Sequence, residues 1–503
     1  MEQSHSVNAQ MTSGAAWMVL FKVLDRAIGF IGIVVLARLL VPADFGLMTL
    51  AASLIAMLEV LGAFGLDTAL IQRADASSQH YNAAWTFNAL FGIGTGVLTA
   101  ALAVPVAALY GDQRLVPVML VLALGRAIGG FENVGVVKFR KELRFEREFR
   151  YLIAKRAFTS LVVTLPAALL LRSYWALLIG NITGTCLAVA LSYAMHPFRP
   201  RFSLRTLREL MHFSKWLFMS NAVETLYLRF FDAIVGRFAG ASGLGVLSVA
   251  RDLARMPYEF AAPIHRAVFP GYVQLASDRA LLRRSYVRVT GILTLVMLPA
   301  GVGLCVVAEP VVYVLLGAQW SSAIVVVQIL AINGALSLFM ATAHYASLAV
   351  GMARASNLVL VVHLLVALPF LWWLLPALGI AGAAWSLLLG SIVSLPFNLL
   401  LLSSAMQLRW RDLWRVCWRP LAASCVMLAA IVLLREAWPM PTAASARIFY
   451  LAIVCTTGAI VYGATIWALW RTRGDTDSAE AWLFDRVRGW HGTRSGALRV
   501  RPR

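Results

Sequence analysis

Charged residues make up only 14% of this 503-residue sequence, and the acidic ones are fewest: 24 Asp and Glu stand against 44 Lys and Arg. A soluble domain carries roughly 25% charge. So few charges cannot build a water-facing exterior, so most of the outer surface must meet lipid. Cysteine is sparse. Cys186, Cys305, Cys417, Cys425 and Cys455 form no close CxxC pair, and all but Cys417 lie within long apolar stretches. They read as reduced packing residues, not as a disulfide framework or a thiolate metal site. A Walker-type glycine-rich loop is missing, as are HExxH and any His/Cys cluster, so neither ATP hydrolysis, a metal nor another cofactor is expected. No connection is long enough for a soluble catalytic surface, so no catalytic residue is assigned. The N-terminus also lacks a cationic segment followed by a short apolar core, so the first apolar run reads as a retained helix rather than a signal peptide.

Apolar sequence is abundant, at 60%. About 20 apolar residues span the hydrocarbon core as a helix. That length, read against Pro, Gly and charge clusters, gives an all-α integral membrane protein with about fourteen transmembrane helices. The candidates are 15–40, 46–71, 82–110, 115–137, 149–171, 174–195, 213–238, 243–271, 286–308, 323–350, 355–376, 380–404, 418–434 and 446–470. Residues 1–14 form a polar N-terminus, and 15–195 a first six-helix lobe. A basic linker at 196–212 leads to a second lobe over 213–404. Two further helices lie within 405–470, and a basic tail covers 471–503.

The net charge of +20 would suggest nucleic acid in a soluble protein. Here the loops explain it. With the N-terminus inside, the inner loops hold twenty Lys and Arg, concentrated at 138–150, 199–208, 279–288 and 409–419, and the outer loops hold six: Arg38, Arg114, Arg172, Arg237, Arg435 and Arg447. That asymmetry predicts cytoplasmic termini. It makes membrane lipids, not nucleic acid, the partner of the basic loops.

An internal repeat is legible. Leu36-Ala-Arg-Leu-Leu-Val-Pro-Ala-Asp-Phe-Gly-Leu-Met-Thr-Leu-Ala51 aligns without gaps, at an offset of 199, with Val235-Gly-Arg-Phe-Ala-Gly-Ala-Ser-Gly-Leu-Gly-Val-Leu-Ser-Val-Ala250. Arg38 meets Arg237, Gly46 meets Gly245, and Asp25 falls on Glu224. A second match, Leu109-Tyr-Gly-Asp-Gln113 against Leu315-Leu-Gly-Ala-Gln319, has an offset of 206. Six helices separate the matches, an even number, so the two bundles are expected as parallel repeats meeting at a central cavity.

Ionisable residues inside spans are costly and are expected to face the bundle interior or water. They concentrate on the first two helices of each half: Lys22, Asp25 and Arg26; Glu59 and Asp67; Glu224, Arg229 and Asp232; Arg251, Asp252, Arg255 and Glu259. Arg251, Arg255 and Glu259, at i, i+4 and i+8, are expected to form one helical stripe. Sealed internal ion pairs are the bland reading of this set, though buried pairs stabilise a fold poorly. Arginine suits bidentate phosphate contact, so a cationic lining fits a pyrophosphate head group. Lys22 and Arg26, four apart, are likewise expected to share one helix face. Asp25, Glu59, Glu224, Asp232 and Glu259 are the candidate acidic or coupling residues. The isolated His344 and His363 read as packing residues.

The segment Leu36-Ala-Arg-Leu-Leu-Val-Pro-Ala-Asp-Phe-Gly-Leu resembles the first loop of Wzx-type polysaccharide flippases in the multidrug/oligosaccharidyl-lipid/polysaccharide exporter superfamily. Gly65-Leu-Asp-Thr-Ala-Leu-Ile-Gln-Arg73 is similar to the end of their second helix. Gly245-Val-Leu-Ser-Val-Ala250 with Pro257 and Phe269-Pro270 resembles their eighth, and Leu316-Gly317-Ala-Gln-Trp320 a later repeat. The resemblance covers about residues 12–410. Leu47 departs from it, since many relatives have an aromatic residue after the glycine. The resemblance implies alternating access by two six-helix lobes, with an undecaprenyl-pyrophosphate-linked oligosaccharide as cargo, and polysaccharide polymerase and chain-length machinery as partners. It carries the phosphate role to Lys22, Arg26, Arg251 and Arg255 by helix position. A peptidoglycan-precursor flippase and a cation-coupled multidrug exporter are the near alternatives. A membrane-embedded glycan polymerase or ligase is the alternative of another class.

Overall fold

The computed structural model describes residues 2–62, 65–73 and 75–473. The basic tail expected over 471–503 therefore lies, beyond residue 473, outside the described residues. In lipid every backbone N–H and C=O must be satisfied within its own segment, which favours helices, and the described residues contain helices and no strand. In order they are α1 (Glu2–Leu39), α2 (Pro42–Glu59), α3 (Leu66–Gln72), α4 (Ser78–Tyr110), α5 (Leu115–Gly129), α6 (Val137–Lys141), α7 (Phe145–Ala157), α8 (Leu165–Leu171) and α9 (Trp175–Met195). Then follow α10 (Leu207–Arg255), α11 (Ala261–Leu275), α12 (Arg279–Val306), α13 (Ala308–Leu315), α14 (Ala323–Ala349), α15 (Ala353–Leu378), α16 (Ile380–Met406), α17 (Trp410–Ala437) and α18 (Ala444–Arg473).

Among the described residues eleven helices are long and apolar enough to cross a membrane, or twelve when α5 and the segment Val134–Lys141, bent by 64°, count as one span. Two of the fourteen expected stretches account for the difference. Helix α1 covers 15–40, but Lys22, Asp25 and Arg26 interrupt its apolar run. The stretches 213–238 and 243–271 run together, giving one span at Thr225–Glu259. They are still separate helices, because Gly240 breaks the helical backbone with φ 68° and ψ −179°, a conformation glycine adopts without the steric cost of a Cβ. Leu170, Leu365 and Trp373, each 70% or more exposed, are solvated by acyl chains in such a protein.

The chain divides into two compact units, Met1–Val249 with Leu315–Gln319, and Ala250–Val314 with Trp320–Arg503. In the first unit the matched glycines touch. A Cβ on Gly46 would lie 1.6 Å from the Ala241 carbonyl oxygen, and one on Gly245 would lie 1.8 Å from that of Pro42. Three residues on, the Thr49 hydroxyl donates to Ser248 Oγ at 3.2 Å. Both pairs are separated by the repeat offset of 199. Such reciprocal pairing is what an isologous contact between equivalent segments produces. The last carbonyls of α1, orphaned as at any helix C-terminus, are met by a side chain from the second half. Gln319 Nε2 donates to Ala37 O at 2.6 Å and Leu40 O at 3.0 Å. Arg38 Nε in turn donates to Leu315 O at 3.2 Å.

In the second unit Tyr258 fills the space left by two glycines. A Cβ on Gly301 or Gly334 would lie 1.9 or 2.1 Å from its ring or hydroxyl, and the hydroxyl donates to Ala331 O at 2.7 Å. A core of Tyr272, Leu282, Tyr286, Leu402 and Met406 lies on one side. Val306, Val307, Met427, Ile431, Tyr450 and Val454 form another.

Candidate functional site

Three in-span carboxylates of the first unit are met by partners on other helices. Asp25 of α1 takes Arg156 Nε of α7 at 2.9 Å. Lys22, one turn earlier and exposed, makes no hydrogen bond or ion pair among the described residues, and Arg26 is half-buried. Glu59, at the end of α2, takes Arg126 Nε of α5 at 2.7 Å. Asp232 of α10 is only 1% exposed; it accepts from Ser53 Oγ at 3.2 Å, with Arg229 at 3.9 Å. Thus Asp232 sits between helices and has little surface to offer water. Glu224 lies outside the residues whose side chains are described.

Arg251, Arg255 and Glu259 belong to the second unit; Arg251 is half-buried and the other two are exposed. The stripe expected of these three does not continue as one α-helical face. Helix α10 ends at Arg255, and Met256–Phe260 forms a 3-10 turn. Pro257 at its start lacks the N–H that an α-helical bond would use, so Glu259 leaves the register of the two arginines.

A cavity of about 330 Å³ opens beside the Glu59–Arg126 pair. Helices α4 and α5 cross closely there, since a Cβ on Gly92 would lie 2.9 Å from Arg126 O and one on Gly130 2.6 Å from Asn88 O. This close approach sets Asn88 and Arg126 on one wall. Glu132 follows where the chain turns away from α5, and its Oε1 accepts from Tyr151 O–H at 2.6 Å. Asp67 of α3 completes the polar lining. Sequence reasoning placed Asp67 among the in-span charges without assigning it a site, and it singled out neither Asn88 nor Glu132. The polar pair Glu132-Asn133 directly after Gly129-Gly130 was the available signal for a broken span. The second unit holds an apolar groove of about 750 Å³ between α12, α17 and α18, lined by Pro299, Gly303, Met427, Ile431 and Tyr462 among others.

Curated relatives include the lipopolysaccharide biosynthesis protein WzxC of Escherichia coli, 25% identical over 340 residues, 66% of this chain and 68% of that one. The succinoglycan biosynthesis transport protein ExoT of Rhizobium meliloti is 26% identical over 65% of this chain and 67% of its own. The teichuronic acid biosynthesis protein TuaB of Bacillus subtilis is 23% identical over 67% and 70%. Among solved structures, the lipid II flippase MurJ in an inward closed conformation superposes with a TM-score of 0.70 over 90% of this chain and 99% of that one, at 14% identity. An inward-facing multidrug resistance MATE family transporter of the MOP superfamily gives 0.61 over 76% and 96%, at 15% identity. At such identities these two show a shared fold, that of a multi-pass, all-α membrane protein. The family model described as polysaccharide biosynthesis protein matches residues 35–325, more than half of the sequence, and the chain belongs to that family.

Proposed function

We propose that this protein is a flippase that carries undecaprenyl-pyrophosphate-linked oligosaccharide units across the bacterial inner membrane, for O-antigen, capsule or exopolysaccharide synthesis. It works by alternating access rather than by catalysis, with both termini in the cytoplasm as the arginine distribution indicates. Polysaccharide polymerase and chain-length machinery receive the cargo. The relatives' names, lipopolysaccharide, succinoglycan and teichuronic acid biosynthesis, support the cargo class. The observation that carries the reading is the cationic set within otherwise apolar helices: Lys22 and Arg26 on α1, Arg251 and Arg255 on α10. A cation within a span is costly to insert, and an anionic guest would offset that cost. A pyrophosphate supplies one, and arginine meets it with two parallel N–H donors. The polyprenyl tail needs no polar partner, and the groove along α12, α17 and α18 offers it an apolar seat.

The test is translocation of a pyrophosphate-linked sugar lipid in proteoliposomes. Arg251→Ala combined with Arg255→Ala abolishes it on this reading, while undiminished transport would remove both residues from the site. A peptidoglycan-precursor flippase is the second reading, favoured by the fold shared with MurJ. Deletion in the source strain separates the two: loss of surface polysaccharide supports the first, lysis the second.

A further inference from the structure

The cavity beside Glu59 and Arg126 has walls of both hydrogen-bonding kinds. Glu59, Asp67 and Glu132 accept, Arg126 and Asn88 donate, and Phe91 adds an aromatic wall. Asn133 also borders it, but its amide is already spent, donating to Phe198 O and accepting from Gly135 N–H. Asp67 and Asn88 are different. Among the described residues neither side chain has a hydrogen-bond or ion-pair partner, although both border the cavity.

Size and arrangement select the ligand. A volume of about 330 Å³ is the room of about ten waters at about 30 Å³ each, enough for a sugar ring and far more than a bare cation uses. The carboxylates are not gathered as cation ligands: no group of three His, Cys, Asp or Glu among the described residues could hold a metal ion. Instead, Arg126 pairs with Glu59 at 2.7 Å and Tyr151 with Glu132 at 2.6 Å. Dispersed acceptors and donors suit a guest with dispersed hydroxyls, since each hydroxyl both donates and accepts. The apolar C–H face of a pyranose fits the Phe91 ring. The cavity also lies where the C-terminal ends of α2 and α5 meet the N-terminal third of α4, close to the basic segment expected at the cytoplasmic side, where Lys141 Nζ donates to Arg73 O at 2.6 Å.

We propose that this cavity is a saccharide subsite that holds one sugar residue of the translocated head group, with Asp67 and Asn88 as its hydroxyl-recognising side chains. The proposal rests on the flippase reading. Its test compares two probes on the purified full-length protein in nanodiscs: the undecaprenyl-pyrophosphate-linked repeat unit of the source strain, and undecaprenyl pyrophosphate without sugar. Asp67→Asn and, separately, Asn88→Ala are expected to weaken the first by tenfold or more and leave the second unchanged. Equal losses for both probes, or no loss for either, overturn the subsite while leaving the flippase reading intact. A wild-type protein that binds neither probe overturns the reading itself and the subsite with it. A thermal stabilisation specific to sodium over choline, lost in Asp67→Asn while sugar-lipid binding persists, overturns the proposal in favour of a cation site.

Discussion

Gly46→Ala adds one methyl group at a position with no room for it. The new Cβ would stand 1.6 Å from the Ala241 carbonyl oxygen and 2.8 Å from Gly245 N. Both obstacles are backbone, so no rotamer change relieves them, and the interior is too closely packed to absorb the overlap. Restoring ordinary contact requires the two segments to part by about 1.5–2 Å at that point. The Thr49–Ser248 hydrogen bond, at 3.2 Å, then exceeds hydrogen-bonding range. Overpacking costs about 1–3 kcal/mol and the lost bond about 1 kcal/mol, a destabilisation of about 2–4 kcal/mol. Gly245→Ala meets Pro42 O at 1.8 Å and costs a similar amount. Gly94→Ala in α4 is the control, because nothing lies within 4 Å of its Cβ and alanine gains up to about 1 kcal/mol of helix propensity over glycine. The readout is thermal unfolding of the detergent-solubilised protein, followed by the fluorescence of its 16 tryptophans. Gly46→Ala and Gly245→Ala are expected to unfold several degrees earlier than wild type, and Gly94→Ala no earlier. If Gly46→Ala unfolds with wild type while the control behaves as stated, the close approach of the two glycines is not what holds these segments together.

Gln319→Leu leaves the Ala37 and Leu40 carbonyls without their shared donor, a loss of about 1–3 kcal/mol where water does not replace it; the thermal midpoint checks this. Asp25→Asn and Arg156→Ala each break the pair at 2.9 Å. The half-exposed ion pair is worth about 1 kcal/mol at most in water, and the exchanged double variant, Asp25→Arg with Arg156→Asp, should recover more than either single change in a double-mutant cycle. His196, just beyond α9, is held below its ordinary pKa by burial and then by the nearby Lys138 charge. The unfolded chain therefore binds its proton at a higher pH than the folded one. Stability should fall as pH drops below about 6.5, and His196→Gln should flatten that dependence in an unfolding series from pH 7 to 5.

The helices were legible in the sequence because lipid imposes a length on every span and because charge and glycine interrupt the apolar runs. What the alignment of Gly46 with Gly245 could not reveal is that the two residues touch each other: a match in sequence is a statement about the chain, while contact depends on how the segments pack. The motif residues Arg38 and Gln319 likewise turned out to bind helix-end carbonyls. Asp25 and Glu59 stood out in their spans, yet their partners Arg156 and Arg126 lie far away in sequence, and helical spacing is blind to such pairs. Glu259 was misplaced because helical periodicity assumes an unbroken helix, and the 3-10 turn at Met256–Phe260 shifts everything after it. The wall formed by Asp67, Asn88, Arg126 and Glu132 comes from three helices and a bend, and nothing in its spacing announces it.

The charges of α1 separate two demands that insertion and transport place on the same helix. Insertion favours neutral pairs, because removing a charge from water costs more when nothing opposes it; Asp25 with Arg156 answers that demand. Anion transport needs a cation that no carboxylate holds, since a phosphate competing against a resident acid loses much of its attraction. On the proposed function, Lys22, exposed one turn from Asp25 and without a hydrogen bond or ion pair among the described residues, would answer the second. Three positions apart, the two share one face of α1, so what separates them is the placement of Arg156, whose Nε lies 2.9 Å from Asp25. One face of α1 thus carries both a carboxylate that Arg156 neutralises and, one turn away, a cation left open.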